Sequence, residues 1–171
     1  NPNNKTPTGA NEIRSMLITK SGTFYVATQH GPFLFESNSG SFTAILNSDQ
    51  QALGQVNSMI EDQDGFVWFV TATGIYRYDN DIEQIERLDL GYNNGFRIIF
   101  EDYFGVIWIT NEVHGIFKLT PQRKFKSINS SQLSAPNGIT VDENGDVVIA
   151  ASSSALFKWQ VRAKSLEPIS G

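Results

Sequence analysis

The chain has 171 residues, of which 18 are acidic and 13 are lysine or arginine, and its net charge of −5 argues against non-specific binding to nucleic acid or anionic lipid. It contains no cysteine, which excludes a disulfide framework, a thiolate metal site and a cysteine nucleophile. No apolar run approaches the ~18 residues of a membrane span, so direct membrane insertion is not expected.

Residues 1–11 form a polar leader rich in Asn, Pro and Thr, and a phrase that recurs four times follows it. Each copy of the phrase contains a turn glycine, and the spacings between these glycines are 43, 40 and 40 residues: Gly22, Gly65, Gly105 and Gly145. Self-similarity at this period is typical of β-propeller blades. Since the chain begins at Asn1 rather than Met, we expect it to be an excised segment of a longer protein.

Every copy of the phrase contains four short strands. The first strand leads into an Asp-Gly-like or Asn-Gly turn, a hairpin signal because both residues tolerate positive φ. The second strand carries a large side chain three positions after the glycine, with Val148 as the exception: Tyr25, Trp68 and Trp108. The third strand alternates apolar side chains, and the fourth, predicted at 41–46, 82–90, 124–129 and 165–170, is more polar. This decline in apolar content from the first strand to the fourth predicts that the first strand of each blade is the most buried.

These patterns predict an all-β fold of β-propeller blades, each made of four antiparallel strands. The propeller segment is expected to span residues 12–171, with about four blades at residues 12–46, 55–90, 95–129 and 136–170. Because larger rings are commoner than four-bladed ones, we expect an arc of a larger ring, with a complete small ring as the alternative.

The amino-acid sequence of this phrase resembles the two-component regulator propeller repeat. The second copy is the nearest match, through Glu61-Asp62, Trp68-Phe69 and Gly74-Ile75, and the third follows it through Glu101-Asp102 and Trp108-Ile109. The resemblance implies a periplasmic sensor region of a bacterial membrane-bound regulator, such as a hybrid histidine kinase or a diguanylate cyclase. Such regions usually carry more than four blades, and the catalytic output lies elsewhere in the parent. The segment itself is therefore expected not to be an enzyme.

A polar residue stands eight positions before each turn glycine: Arg14, Asn57, Arg97 and Asn137. These residues begin the innermost strands, which predicts that they lie at one mouth of a central channel, where propellers bind ligands. The arginines could hold a carboxylate or sulfate and the asparagines could hold sugar hydroxyls. The alternative is that they satisfy strand-end carbonyls or close the hub through water.

Both histidines precede a third-strand glycine, so His30 and His114 could flank the same mouth. A metal is not predicted there, because two ligands two blades apart make a poor site. The segment 142–146 has oxygens at alternate positions like a calcium loop, but it lacks the later bidentate acid of an EF-hand, and an Asn-Gly hairpin turn also explains the matching turns of the other blades. Trp68 and Trp108 could stack on sugars, yet their mid-strand register favours core packing.

The expected partner is an unidentified small molecule or glycan, or a neighbouring propeller or β-sandwich of the same parent, and a homodimer is a further expectation. No cofactor is predicted. The alternative function is a propeller enzyme of the lactonase or streptogramin-lyase type, because residues 136–142 with Gly145-Asp146 are similar to repeats in those families. The predicted mouth carries Arg and Asn rather than inward carboxylates, which argues against metal chemistry of that kind.

Overall fold

A computed structural model describes residues 12–119, 125–128, 133–151 and 155–169; the predicted leader, residues 1–11, lies outside them. This part of the chain forms sixteen strands in four sheets. Blade 1 contains β1 to β4: Ile13–Ile18, Phe24–Thr28, Gly31–Glu36 and Ser41–Ala44. Blade 2 contains β5 to β8: Val56–Glu61, Val67–Thr71, Gly74–Asp79 and Gln84–Leu88. Blade 3 contains β9 to β12: Phe96–Glu101, Ile107–Asn111, Gly115–Leu119 and Phe125–Ile128. Blade 4 contains β13 to β16: Pro136–Val141, Val147–Ala151, Leu156–Gln160 and Ser165–Ile169.

Each sheet is an antiparallel meander in which consecutive strands are neighbours, so the all-β prediction of four-stranded blades is confirmed. The expectation that the first strand of each blade is the most buried is wrong. The second strands β6 and β10 are buried along their whole length, whereas four of the six residues of β1 are exposed. The reason is that the first strand is an edge of its sheet and the second is paired on both sides.

The turn between the first and second strands is built around an aspartate. In blade 2, Asp62 Oδ1 accepts the backbone N–H of Phe66 at 2.9 Å, and its Oδ2 accepts the indole N–H of Trp68 at 2.7 Å. In blade 3, Asp102 accepts the same two kinds of bond. Only the glycine of each turn adopts positive φ, +89° at Gly65, so the aspartate rather than a two-residue Asp-Gly turn closes the hairpin.

Blades 1 and 4 lack this Asp–Trp bond and replace it differently. In blade 1, Thr19 stands in the aspartate position, and the hydroxyl of Tyr25 donates to Asn80 Oδ1 of blade 2 at 2.7 Å. In blade 4, where no tryptophan is present in the second strand, Asp142 instead bonds Lys158 Nζ at 2.7 Å. This ion pair holds the pKa of Asp142 below its usual range and raises that of Lys158.

The chain divides into two compact units between Asn93 and Asn94, with two blades in each. In the first unit, the front face of blade 1, which includes Tyr25 and Ala27, packs on the rear face of blade 2. That rear face consists of six apolar side chains: Met59, Val67, Phe69, Tyr76, Tyr78 and Ile85. In the second unit, Trp108 and Ile116 of blade 3 pack on the rear face of blade 4. The two tryptophans that could have stacked on sugars are thus buried in the core, Trp68 at 2% exposure and Trp108 fully.

Candidate functional site

The four strand-start residues share one structural feature, which is a β-bulge. Ile13 and Ser15 pair with consecutive residues of β2, so Arg14 is the extra residue between them. Asn57 and Asn137 occupy the same extra position in β5 and β13. In β9, Arg97 lies in a corresponding irregularity next to Ile98, whose backbone N–H donates to Thr110 Oγ1 at 3.1 Å. Bulges redirect side chains and are common next to binding sites. We call the end of the blades where they occur the bulge end.

Both arginines of the bulge end are paired with a glutamate. In the first unit, Arg14 Nη2 lies 3.3 Å from Glu12 Oε1. In the second unit, Arg97 pairs with Glu112, and both side chains are about two-fifths exposed. Each pair offers guanidinium donors and carboxylate acceptors to solvent while its net charge is zero. The predicted role of the arginines as carboxylate or sulfate ligands therefore competes with an internal partner.

The asparagines differ in their surroundings. Asn57 is partly buried and its Oδ1 accepts a hydrogen bond from Gln55 Nε2 at 2.8 Å. Asn137 is exposed. Within the first unit, Arg14 and Asn57 start neighbouring strands that pack against each other, and Arg97 and Asn137 do the same in the second. The structure thus places the predicted residues on neighbouring strands in pairs, one pair in each unit.

The two histidines lie in the turns before the third strands, at the bulge end of their blades. The backbone N–H of His30 donates to Thr28 Oγ1, and that of His114 donates to Asn111 Oδ1, both at 3.0 Å. The ring of His30 is exposed and His114 is partly buried. Turn geometry thus accounts for their backbone positions, and a ligand role for their rings remains a prediction.

The calcium-like segment has its oxygens engaged within the protein. Asp142 Oδ1 accepts the backbone N–H groups of Asn144 and Asp146, and its Oδ2 bonds Lys158. Asp146 Oδ1 accepts the N–H of Val161 at 3.0 Å. Across the described ranges, no three His, Asp or Glu side chains converge closely enough to hold a metal ion. The hairpin turn accounts for the bonds from Asn144 and Asp146, and the other two contacts tie the turn to β15 and to the turn after it.

The first unit also has a cavity of about 210 Å³ at the opposite end of the blades, where the first-to-second-strand turns lie. Its walls include four acidic residues: Glu61, Asp64, Asp79 and Asp81. Glu61 accepts the backbone N–H of Lys20 at 2.7 Å, and Asp79 accepts that of Asp81 at 3.0 Å. These contacts engage two of the four acidic side chains, Glu61 and Asp79, in bonds to turn backbone. None of the six predicted site residues lines this cavity.

Two features of the bulge end were not predicted. The bulges were not predicted, because the extra residue stands second in its strand, where too few residues precede it to show a break in the alternation of apolar side chains. The partner Glu112 lies fifteen residues from Arg97, and only the pairing of β9 with β10 brings them together. Glu12 could have been found, since it lies two residues before Arg14 and is the nearest acidic residue. No helix that could span a membrane occurs among the described residues.

Neither a protein-family model nor a curated protein sequence matches the chain. Several solved structures are similar to the chain. The extracellular domain of the putative hybrid two component system BT4673 from B. thetaiotaomicron is similar with a TM-score of 0.79 and 18% identity, over 95% of this chain and 25% of that one. Virginiamycin B lyase from Staphylococcus aureus is similar with a TM-score of 0.76 and 15% identity, over 96% of this chain and 57% of the lyase. A putative gluconolactonase gives a TM-score of 0.69 at 11% identity, over 94% of this chain and 64% of that one.

The chain thus spans only part of the first structures that it matches, about a quarter of the BT4673 domain. At these identities, the likeness establishes the fold. A sensor of the kind that the repeat phrase resembles is among the similar structures, and so are two propellers named as enzymes. The chain is an all-β protein built from β-propeller blades.

Proposed function

We propose that this chain is a non-catalytic ligand-binding module in the extracytoplasmic sensor region of a bacterial membrane-bound regulator. The observation that carries the proposal is the β-bulge that recurs at the start of the first strand in all four blades, each time beneath a polar side chain. Bulges are over-represented next to functional sites, where they redirect a side chain, and here the extra residue is itself polar in every blade. The likeness of this chain to the extracellular domain of a hybrid two component system supports the same role.

The charge balance at the bulge end favours an uncharged polar ligand, and a glycan is the class that we propose. Each arginine is already neutralised by a glutamate, so an anionic ligand would have to displace that carboxylate. A sugar hydroxyl is both donor and acceptor, and it can bond a guanidinium N–H and a carboxylate oxygen at once. Asn57 and Asn137 add amide groups of the same dual character.

The acidic residues of the turns support a binding role rather than catalysis. Asp62, Asp102 and Asp142 are each occupied by two or more hydrogen bonds that close a hairpin. A carboxylate that is engaged in this way is a poor general base or metal ligand. The output of the regulator would then belong to another part of the parent protein, and ligand binding would act by changing the arrangement of a dimer.

The test is a binding titration of the 171-residue chain with neutral and sulfated oligosaccharides of matched length, for example laminarihexaose, maltohexaose and a heparin-derived hexasaccharide. We expect saturable binding of a neutral oligosaccharide, and we expect Arg97→Ala to weaken it tenfold or more, because a charge-assisted hydrogen bond of about 1.5–3 kcal/mol is lost. Arg162→Ala is the matched control, since Arg162 is an exposed arginine in the turn between β15 and β16, away from the bulge end.

Two results would contradict the proposal. One is preferential binding of the sulfated oligosaccharide, which would show that the glutamates do not set the ligand charge. The other is equal weakening by Arg97→Ala and Arg162→Ala, which would place the ligand elsewhere. Product release from a bound compound, followed by chromatography in the same samples, would favour the lactonase or lyase alternative instead.

A further inference from the structure

The turn between β9 and β10 exposes two adjacent aromatic side chains. Tyr103 is 84% exposed and Phe104 is 66% exposed. Their rings are almost perpendicular, at 86°, and the ring centroids are 5.8 Å apart. The two rings form the walls of an open corner, which we call the aromatic corner. It lies at the end of blade 3 away from the bulge end.

The hairpin of blade 3 does not require these rings. The other three blades have polar residues at the same two positions, just before the turn glycine: Lys20-Ser21, Gln63-Asp64 and Glu143-Asn144. Aromatic side chains are enriched at protein interfaces relative to the rest of the surface. The aromatic corner is therefore a feature of the surface of blade 3 and not of its framework.

Blade 4 holds the aromatic corner in place. An added Cβ at Gly145 would lie 3.0 Å from Cε2 of Phe104, so the edge of this ring rests on the glycine backbone. Tyr103 packs edge to face with Phe104 in turn. Because these contacts lie within the second unit and leave most of both rings exposed, the corner is formed before a partner binds. A preformed surface lowers the entropic cost of binding.

The surroundings of the aromatic corner are acidic. The two turns that form it, residues 101–106 and 142–146, contain no lysine or arginine and five acidic residues: Glu101, Asp102, Asp142, Glu143 and Asp146. Lys158 neutralises one of these carboxylates, that of Asp142, at 2.7 Å. Glu143 is exposed and lies two residues before the glycine on which Phe104 rests. A negative potential and an open ring face attract the same kind of group, which is a cation.

The first unit shows which cation this chemistry holds. In blade 2, the guanidinium of Arg77 lies over the ring of Phe66, 4.5 Å from its centroid, and pairs with Glu86 at 3.0 Å. Arginine suits such a site better than lysine, because its planar guanidinium stacks on a ring while its N–H groups bond a carboxylate. In the part of the chain that the structure describes, no lysine or arginine stacks on Tyr103 or Phe104.

We propose that the aromatic corner is the docking site for an arginine side chain of a partner protein. The guanidinium stacks on the open face of Tyr103, and the acidic turn residues, Glu143 among them, attract its charge. Since the corner and the bulge end lie at opposite ends of the blade, this inference does not depend on the ligand proposed for the bulge end.

The test compares three probes: the peptide acetyl-Gly-Arg-Gly-amide, its citrulline analogue and methyl β-glucoside. Citrulline has the shape of arginine but carries an uncharged urea group. Binding to the 171-residue chain is followed through the aromatic NMR signals of Tyr103, which are assigned by their loss in Tyr103→Ala. We expect the arginine peptide to shift these signals saturably and to bind about threefold more tightly than the citrulline peptide, because only a cation gains from the ring quadrupole.

Three variants assign the binding to the aromatic corner. Tyr103→Ala keeps the fold, because the side chain is exposed, and it should abolish binding of the arginine peptide as followed at Phe104. Glu143→Gln should weaken the arginine peptide about twofold and leave the citrulline peptide unchanged. Val113→Ala is the control and should change neither, since Val113 is 75% exposed in the turn between β10 and β11, at the other end of the same blade.

Each of four other results would overturn the proposal. The first is the absence of a saturable shift with the arginine peptide. Equal binding of the arginine and citrulline peptides would identify an apolar surface rather than a cation site. A shift of the Tyr103 signals by the glucoside and not by the arginine peptide would identify a sugar-stacking surface. Binding of the arginine peptide that survives Tyr103→Ala would place the cation on the acidic residues alone.

Discussion

Replacing Asp102 with alanine should destabilise the second unit more than any surface substitution in the same turn. Asp102 is 3% exposed, and its carboxylate accepts three hydrogen bonds. Oδ1 accepts the backbone N–H groups of Phe104 and Val106, each at 2.9 Å. Oδ2 accepts the indole N–H of Trp108 at 2.8 Å, in a site from which water is excluded.

The loss of stability depends on whether each N–H donor can bond water once the carboxylate of Asp102 is removed. The indole N–H of Trp108 would be buried without an acceptor, after losing a bond to a charged group, which costs about 2–3 kcal/mol. The two backbone N–H groups lie in a part-buried turn and can bond water, so each adds about 0.5 kcal/mol. We therefore expect the free energy of unfolding of the second unit to fall by about 3–4 kcal/mol. Tyr103→Ala, at a neighbouring residue that is 84% exposed, should stay within about 0.5 kcal/mol.

The assay is urea unfolding followed by far-ultraviolet circular dichroism, combined with hydrogen exchange of β9 and β10 to report on the second unit alone. Asp102→Asn is informative as a second variant, because its amide oxygen can still accept the turn bonds while its NH₂ group opposes the indole. We expect it to be less damaging than alanine.

A loss below about 1 kcal/mol in Asp102→Ala, or a loss equal to that of Tyr103→Ala, would refute the argument. It would mean that the indole N–H finds another acceptor and that the aspartate is a turn residue only.

Two more predictions concern the turns. In urea unfolding, Gly145→Ala should lower the free energy of unfolding more than Gly65→Ala. Both glycines have positive φ, but an added Cβ would lie 3.0 Å from the Phe104 ring at Gly145 and would meet nothing within 4 Å at Gly65. Phe104→Ala should remove the difference. Asp142→Asn should make the free energy of unfolding fall less steeply at acid pH. Lys158 depresses the pKa of Asp142 in the folded state. The ion pair therefore stabilises the fold at neutral pH, and this stabilisation is lost as pH falls through the depressed pKa. An unchanged acid limb would exclude this pair as a contributor.

Much of the fold could be predicted from the sequence, because the signals that define a blade are local. The glycine period placed all four sheets, and the side chain three positions after each glycine identified Trp68 and Trp108 as core residues. Burial along the blade was harder to predict, since the apolar content of a strand does not show whether it is an edge of its sheet. The first strand of blade 1 is rich in apolar residues, and yet four of its six residues are exposed.

The candidate site was predicted only as a set of positions. Arg14, Asn57, Arg97 and Asn137 were found by their constant distance from the glycines, and the structure places all four at one kind of bulge. The partner of Arg97 could not be predicted in the same way. Glu112 reaches Arg97 across a pair of strands, and which acidic side chain does so depends on register and rotamer rather than on spacing.

The hydrogen bond from Tyr25 to Asn80 has a consequence for how the first unit comes apart. In blades 2 and 3, the aspartate that holds the second strand belongs to the same sheet, so each of these sheets secures its own hairpin. In blade 1, Thr19 closes the hairpin, but the aromatic side chain of the second strand bonds to blade 2, because its acceptor Asn80 lies in the turn after β7. Local opening of blade 2 would thus release blade 1 as well, and the two should exchange their amide hydrogens as one cooperative unit. The stability of a degenerate repeat of this kind thus depends on the repeat that follows it.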